Sequence, residues 1–317
     1  MAQPKTLQQA IQYYGNPDNC LNHLVAQRWP SGVECPTCGS KDVRFIATRR
    51  IWECKTKHPK KQFSVKVGTI FEDSPIGLDK WLTAAWMIAN CKNGVSSYEI
   101  HRALGVTQKT AWFMLHRIRL AMQDENGGKL KGHVEADETF IGGKARFMHA
   151  DRRVKNSVNP FYNKTIVMGV LERDGKVRTQ VIEDRDRKTL HAMVSDNVEF
   201  GSYLSTDDCQ GYWGLYKNYV HEIIDHAETY VSGKVHTNGI ENFWSCLKRG
   251  LKGTYISVEP FHLFRYLDEQ MFRYNNRATK KQSISDADRF TMLTANLVGK
   301  RITYQQLIGK GEEAQAN

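Results

Sequence analysis

The chain has 317 residues, of which 40% are hydrophobic and 10% aromatic, enough for two or three folded domains and too much for a disordered protein. The absence of any run of about 18 consecutive apolar residues argues against a transmembrane helix. The opening MAQPKTLQQAIQYYGNPDN lacks the basic and apolar regions of a signal peptide. We therefore expect a soluble, intracellular protein with no membrane partner.

The charge balance favours a polyanionic partner. Lys and Arg number 45 against 34 Asp and Glu, which gives a formal net charge of +11. The excess is clustered, because residues 44–66 hold eight basic residues and one acidic, and residues 144–164 hold six and one. Clustered cations suit nucleic acid, since each neutralised phosphate releases condensed counterions. The alternative is a basic protein whose charge serves only solubility, and its basic residues would be expected to be scattered evenly along the chain.

Three of the seven cysteines and one histidine have the spacing of a zinc site. An odd cysteine count without a secretion signal does not indicate a disulfide framework. Cys35-Pro-Thr-Cys38-Gly is typical of a zinc knuckle, and Cys54 and His58 follow a β-rich stretch typical of a hairpin. The four residues predict a closed Cys3His site for one structural zinc ion. The alternative is buried free cysteines with His58 on the surface.

Two short helices after the zinc ligands have the pattern of a helix-turn-helix. Residues 78–90 have the apolar spacing of a buried helix, Ser96 or Ser97 can cap the next, and Gly105-Val106 form a tight turn. Thr107 can cap a second helix, which completes the motif. The residues expected to lie outward, near DNA, are Gln108, Lys109, Trp112 and His116. An ordinary helical hairpin is the alternative, and the basic context favours DNA.

A glycine-rich, polar segment at 124–133 predicts a linker, and beyond it the pattern changes to strands. The elements expected there, in chain order, are a strand in 133–143, a hairpin in 164–182 that turns at Asp174-Gly175, a helix at 187–194, strands at 201–208 and 221–225, and a helix at 238–251. Such a succession predicts an α/β layer architecture.

Three acidic residues stand on these elements. Asp137 lies in the first strand, Asp207 at the end of the fourth, and Glu241 on the last helix. Such a trio can hold two Mg²⁺ ions about 3.5–4 Å apart, one activating an attacking oxygen and one stabilising the leaving oxygen of a phosphodiester. Carboxylates suit this role because Mg²⁺ prefers oxygen ligands.

The sequence resembles insertion-sequence transposases of the ISXO type. The matching stretches, spread over residues 18 to 277, are CPTCG, KKQFSVKVGTIFEDS, HVEADETFIGGK, STDD, HTNGIENFWSCLKRGLKGTY and YLDEQMFRYNNR. The resemblance implies a zinc ribbon and a helix-turn-helix before a DDE domain of ribonuclease H-like α/β fold. It implies that Asp137, Asp207 and Glu241 hold the catalytic metal and that Lys248 acts beside them. The family often has a cysteine where His58 stands, so the fourth zinc ligand stays open.

The domains expected from these patterns are a zinc ribbon in 1–68, a helical DNA-binding region in 69–125, the catalytic domain in 126–280 and a C-terminal tail in 281–317. Further DNA contacts are expected from Arg152, Arg153 and Lys252, although a solvated loop is the alternative for the basic run 144–164. Asp208 is the alternative to Asp207. A capping box begun by Asn238 is the alternative role for Glu241.

The resemblance implies a bacterial DNA transposase that acts in the cytoplasm, on the nucleoid. Activated water would cut each element end, and the freed 3′ hydroxyl would attack target DNA in line. The cofactors implied are two Mg²⁺ (or Mn²⁺) ions and one Zn²⁺. The partners implied are double-stranded DNA, as terminal inverted repeats and target, and further copies of the chain assembled on it. The alternatives are a DNA-binding regulator without catalysis and a ribonuclease H-like nuclease that cuts but does not join.

Overall fold

The computed structural model describes residues 3–124, 127–143, 164–224 and 236–310. The chain divides into two compact units, the first formed by residues 1–123 and 276–317 and the second by residues 124–275. Among the described residues, every helix falls short of the length or apolar character that a bilayer crossing requires.

The elements of the chain up to the predicted linker are α1 (Leu7–Tyr14), α2 (Pro17–Arg28), β1 (Val43–Ile46), β2 (Ile51–Cys54), β3 (Gln62–Phe63), α3 (Leu78–Asn90), α4 (Ser97–Leu104) and α5 (Gln108–Ala121). Those that follow are β4 (His133–Gly142), β5 (Lys164–Glu172), β6 (Val177–Ile182), α6 (Arg187–Asn197), β7 (Tyr203–Asp207), β8 (Val220–Ile224), α7 (Asn238–Gly250), α8 (Leu263–Asn275), α9 (Asp286–Ala295) and α10 (Tyr304–Leu307).

Strands β1, β2 and β3 form the small antiparallel sheet of the ribbon, so the hairpin predicted from the sequence is confirmed. Trp52 of β2 lies opposite Phe63 of β3, and their rings stack with centroids 6.0 Å apart. Part of the basic cluster is balanced within this unit, since Arg44 pairs with Glu53 at 2.7 Å and Lys55 with Asp42 at 2.9 Å. Such exposed pairs each contribute about 0–1 kcal/mol.

The two helices and the tight turn between them that the sequence predicts are present as α4 and α5. Ser96 and Glu99 form a capping box at the start of α4, and Gly105 ends that helix with a φ of +60°. The Thr107 hydroxyl accepts a hydrogen bond from the backbone N–H of Thr110 and so caps α5. The inner face of α5 is fully buried and consists of Ala111, Met114, Leu115 and Ile118.

The C-terminal segment differs from the tail expected over 281–317. Its helix α9 packs against α3, where the Phe290 and Trp86 rings lie 5.0 Å apart. Ser285 and Asp288 cap α9 in a capping box. Helix α10 buries Leu307. The physical reason is that few apolar side chains, spaced one helical turn apart in a polar stretch, suffice to dock a short helix on a core already formed by α1, α2 and α3.

A half-buried histidine should make the first unit acid-sensitive. Burial lowers the pKa of His23 to about 4; its ring stacks on Phe290 and its Nε2 lies 3.2 Å from Thr294 Oγ1. The unfolded histidine titrates near 6.5, so this contribution to stability is complete above that pH and is lost as the pH falls towards 4. We expect a loss of about 2 kcal/mol between pH 7.5 and pH 5 from this group.

Urea unfolding followed by tryptophan fluorescence at the two pH values measures the loss. The control is His23→Gln, which keeps a polar partner for Thr294 and has no charge to gain. The variant should lose clearly less stability than the wild type between pH 7.5 and pH 5, and equal losses would contradict the assignment to His23.

The second unit contains a five-stranded sheet in the order β6-β5-β4-β7-β8. Strands β6, β5 and β4 are antiparallel, whereas β7 and β8 continue parallel to β4, as the ribonuclease H-like fold requires. Helix α6 covers one face, and α7 and α8 cover the other. Gly169 of β5 lies opposite Asp137, and a Cβ there would stand 2.8 Å from the Trp244 ring, so glycine lets α7 approach the sheet closely.

Candidate functional site

Two of the predicted acidic residues lie on neighbouring strands, β4 and β7, of the large sheet. Asp137 is in β4, which pairs in parallel with β7 through Glu135 opposite Ser205. Asp207 is the last residue of β7, two residues beyond the final pair of that register. The neighbouring Asp208 follows the strand and is exposed. Asp207 is near enough to Asp137 for its charge to raise the pKa of that carboxyl.

Asp137 is held by two donors and crowded by negative charge. Its Oδ2 accepts from the Trp244 indole N–H at 3.0 Å, and its Oδ1 accepts from the Glu138 backbone N–H at 2.8 Å. Burial raises the pKa of Asp137 to about 7, and the charges of Glu138 and Asp207 add to the rise. A bound cation would relieve this repulsion, which makes the cluster chemically suited to a divalent metal.

Glu138 follows Asp137 in β4 and adds a third carboxylate to the cluster formed by Asp137 and Asp207. Its carboxylate accepts from the buried Tyr212 hydroxyl and pairs with Arg185 at 3.0 Å, and burial raises its pKa. One ligand atom from each of Glu138, Asp207 and Cys209 lies within 4.8 Å of the others. These neighbours have no signal in the sequence, because Arg185, Cys209 and Tyr212 come from loops and short turns that carry no periodic pattern.

A cavity of about 570 Å³ connects the acidic residues of β4 to helix α7. Its lining residues are Asp137, Glu138, Thr139, Glu241, Trp244, Ser245, Lys248, Arg249 and Lys252. The structure therefore brings Asp137, Glu241 and Lys248 to one cavity, while Asp207 lies near Asp137 without lining it. Carboxylates and cations lining one cavity suit a phosphodiester held next to metal ions.

Glu241 is not part of a capping box begun by Asn238. Helix α7 already includes Asn238, and the N-cap residue Thr237 makes no side-chain bond to the helix backbone. Instead the Thr237 hydroxyl donates to Glu241 Oε1 at 3.1 Å, one turn along the chain. The Glu241 side chain thus contacts the N-cap residue of its own helix and also lines the cavity.

Lys248 lies two turns after Glu241, on the same border of α7 and facing the same cavity. Burial lowers its pKa, Lys252 lowers it further, and the charge of Asp137 opposes the change. Lys252 lies on a π-helical turn, Leu251–Tyr255, that continues α7. The Tyr255 hydroxyl, at the end of that turn, donates a hydrogen bond to the buried Glu269 of α8 and so anchors the turn. Isolated π turns often occur at functional sites.

The four residues predicted to bind zinc come together in the ribbon. One ligand atom from each of Cys35, Cys38, Cys54 and His58 lies within 4.8 Å of the others. The Cys35 Sγ is 3.4 Å from His58 Nε2, and the Cys38 and Cys54 sulfurs are 3.7 Å apart. Three thiols and one imidazole at these distances form the donor set of a closed structural zinc site.

The local backbone geometry orients these ligands towards one another. The Gly39 N–H donates to the Cys35 carbonyl at 2.8 Å, and Gly39 has a φ of +72°, which closes the knuckle turn. The His58 Nδ1 bonds to the Pro59 carbonyl, which leaves Nε2 to face the thiols. His58 therefore fits as the fourth ligand despite the proline that follows it.

The residues predicted to contact DNA from α5 divide into two groups. Lys109 is exposed near the start of the helix, with its ammonium 4.5 Å from the Tyr304 ring, and Gln108 is half-buried and donates to the Ser97 hydroxyl. Trp112 is half-buried against His116. The outward orientation expected for His116 is wrong, because this side chain is fully buried on a helix packed on several sides. Arg152 and Arg153 lie outside the described residues.

Two segments of the chain, the N-terminal ribbon and most of the second unit, match known domain families. Residues 15–56 match the transposase zinc-ribbon domain, and residues 129–275 match the ISXO2-like transposase domain. The first match contains Cys35, Cys38 and Cys54 and ends two residues before His58. The second contains the acidic residues of β4 and β7 and the whole of α7.

Among individual proteins, the chain is 25% identical over 255 residues to "Uncharacterized protein in transposable element ISH50" of Halobacterium salinarum, a match covering 76% of this chain and 85% of that protein. A solved chain from the simian T-cell lymphotropic virus intasome in complex with PP2A regulatory subunit B56 gamma is 11% identical, with 62% of this chain and 70% of that chain covered. Its TM-score of 0.32 does not establish a shared fold. On its two domain matches, the chain belongs to the insertion-sequence transposases of the ISXO type, with a zinc-ribbon domain ahead of an ISXO2-like transposase domain.

Proposed function

We propose that this protein is a DNA transposase that cuts the ends of an insertion sequence and joins them to target DNA. The observation that carries the proposal is one cavity lined by Asp137 and Glu241 together with Lys248 and Lys252, with Asp207 near enough to raise the pKa of Asp137. Acids for metal ions and cations for phosphates are the two requirements of phosphodiester transfer.

Each side chain has a separate task in this proposal. Two Mg²⁺ or Mn²⁺ ions bound by Asp137, Asp207 and Glu241 would activate the attacking oxygen and stabilise the leaving oxygen. Trp244 fixes the Asp137 carboxylate through its indole N–H. Lys248 and Lys252 line the cavity as phosphate contacts. The attacking group is water during cleavage and the freed 3′ hydroxyl during joining, so no covalent bond to the protein forms.

The first unit supplies DNA recognition in the same proposal. A structural zinc ion held by Cys35, Cys38, Cys54 and His58 stabilises the ribbon, and the ribbon with α4 and α5 binds the terminal inverted repeats. Gln108, Lys109 and Trp112 remain the proposed contacts from α5, while Lys252, Arg152 and Arg153 contact phosphates. At least two copies of the chain assemble on DNA to pair the two element ends. The protein would act on the bacterial nucleoid, in the cytoplasm.

An incubation of four components tests the proposal. They are the purified protein, Mg²⁺, a plasmid, and an oligonucleotide whose sequence is the inverted repeat found in DNA flanking the gene. A transposase yields oligonucleotide covalently joined to plasmid. A ribonuclease H-like nuclease yields cut DNA without joining, and a regulator yields neither; either result would reject the proposal.

Lys248→Ala should reduce strand transfer by about 10- to 100-fold, because it removes one charged contact to DNA at the cavity, worth about 1.5–3 kcal/mol. Lys248→Arg should retain part of the activity, since the charge survives although the shape differs. The matched control is Lys217→Ala, an exposed lysine of the same unit away from the cavity. Single-turnover joining of precut ends measures the effect, and wild-type rates for Lys248→Ala would remove this residue from the site.

A further inference from the structure

Helix α7 is attached to strand β4 at two points. The Glu135 carboxylate accepts from the Ile240 backbone N–H at 3.0 Å, and the Asp137 carboxylate accepts from the Trp244 indole at 3.0 Å. Two strand residues rise about 6.6 Å and four helix residues rise about 6 Å, so the two contacts form together in one register only. The strand thereby fixes where along the sheet the helix lies.

Glu135 is fully buried and joins three segments of the chain. Its carboxylate pairs with Arg173 Nε at 2.8 Å, just after β5, and lies 3.2 Å from His236 Nδ1. Arg173 also donates to the His236 carbonyl at 2.7 Å, immediately before α7. A buried carboxylate is costly unless it is paired and hydrogen-bonded, and here every oxygen has a donor.

The hydrogen bond between Glu135 and Ile240 takes the place of a side-chain N-cap, which α7 lacks. Because the N-cap residue Thr237 makes no side-chain bond to the helix backbone, the Ile240 N–H is satisfied from β4 instead. A carboxylate at a helix N-terminus is favoured by the helix dipole. Gly239 permits the approach, since a Cβ there would lie 2.8 Å from a Glu135 oxygen and 3.1 Å from Leu171.

We propose that Glu135 is a positioning residue that fixes the start of α7 so that Glu241, next to Ile240, faces the same cavity as Asp137. The inference rests on the proposed metal-binding role of Asp137 and Glu241. Partners that orient a metal ligand typically change metal affinity 10- to 100-fold when they are removed. Glu135 itself does not touch the cavity, so its effect reaches the metal only through the helix.

The test is the affinity of the full-length protein for Mn²⁺ without DNA, measured by electron paramagnetic resonance. Glu135→Gln keeps the size of the side chain but turns an amide N–H₂ towards one of its donors. Gly239→Ala crowds the same contact from the helix side, and Gly128→Ala is the control because a Cβ there meets nothing within 4 Å. We expect about 10- to 100-fold weaker Mn²⁺ binding in the first two variants, and strand transfer that recovers at saturating Mn²⁺.

Wild-type Mn²⁺ affinity in a folded Glu135→Gln or Gly239→Ala protein would overturn the inference. Failure of both variants to fold, while Gly128→Ala folds, would overturn it as well and leave Glu135 as a stability element. A failure of the proposed function has a different signature, because Asp137→Asn and Glu241→Gln would then bind Mn²⁺ as the wild type does.

Discussion

Asp137→Asn, Asp207→Asn and Glu241→Gln should each reduce DNA cleavage and strand transfer by about 10³-fold or more, the scale expected when one member of a catalytic unit is removed. Each substitution keeps the shape of the side chain and removes one negative charge from the metal site. DNA binding should stay near wild type, since none of the three contacts a phosphate directly. A double variant should be little worse than a single one, because the three residues act as a unit.

Gel assays of cleavage and joining, with parallel measurement of repeat-DNA binding, check this result. Asp208→Asn is the matched control, because Asp208 is adjacent to Asp207 in sequence but exposed. It should retain wild-type activity. Substantial joining by Asp207→Asn together with loss of joining in Asp208→Asn would move the site by one residue and contradict the geometry of β7.

Removal of the proposed zinc should unfold the ribbon. Purified protein should contain one zinc ion per chain, and Cys35→Ser should lose it, because three ligands no longer close the site. Binding of structural zinc is worth about 10–16 kcal/mol in zinc-finger peptides, more than the core of a ribbon this small supplies. Repeat-DNA binding should fall with the zinc content.

Metal analysis of freshly purified protein and a chelator titration followed by tryptophan fluorescence measure this effect, since Trp52 lies in the ribbon core. Cys246→Ser is the matched control, because this cysteine lies on α7, in the second unit, and is not one of the four predicted zinc ligands. The control should keep its zinc. Protein that lacks zinc when isolated, yet has a folded ribbon, would contradict the assignment.

Features set by local pattern were predictable from the sequence. The knuckle spacing around Cys35 and Cys38, the hairpin turn at Asp174-Gly175 and the capping residues of α4 and α5 all depend on residues within a few positions of one another. Helix α3 matches its expected bounds because its apolar spacing is continuous. Asp137 was found through a motif, and the structure adds its neighbours.

Features set by contacts between distant segments were not predictable. Nothing in the sequence pairs Glu138 with Tyr212 or Glu135 with Ile240, because these contacts join positions 74 and 105 residues apart. The outward orientation predicted for His116 was wrong because α5 is buried over most of its circumference. An amphipathic pattern assumes instead that one face of the helix is exposed to solvent. The docking of α9 depends on the core it joins, which its own short apolar pattern does not reveal.

The most direct test of direct strand transfer is the configuration at phosphorus after joining. Precut repeat ends are joined to target DNA whose phosphorothioate linkages all have one known configuration, and the configuration at the new junction is determined. Attack by the DNA 3′ hydroxyl in a single in-line step breaks one P–O bond as it makes another, so we expect inversion. Retention would rule out direct transfer, because it requires two displacements and a protein-linked intermediate.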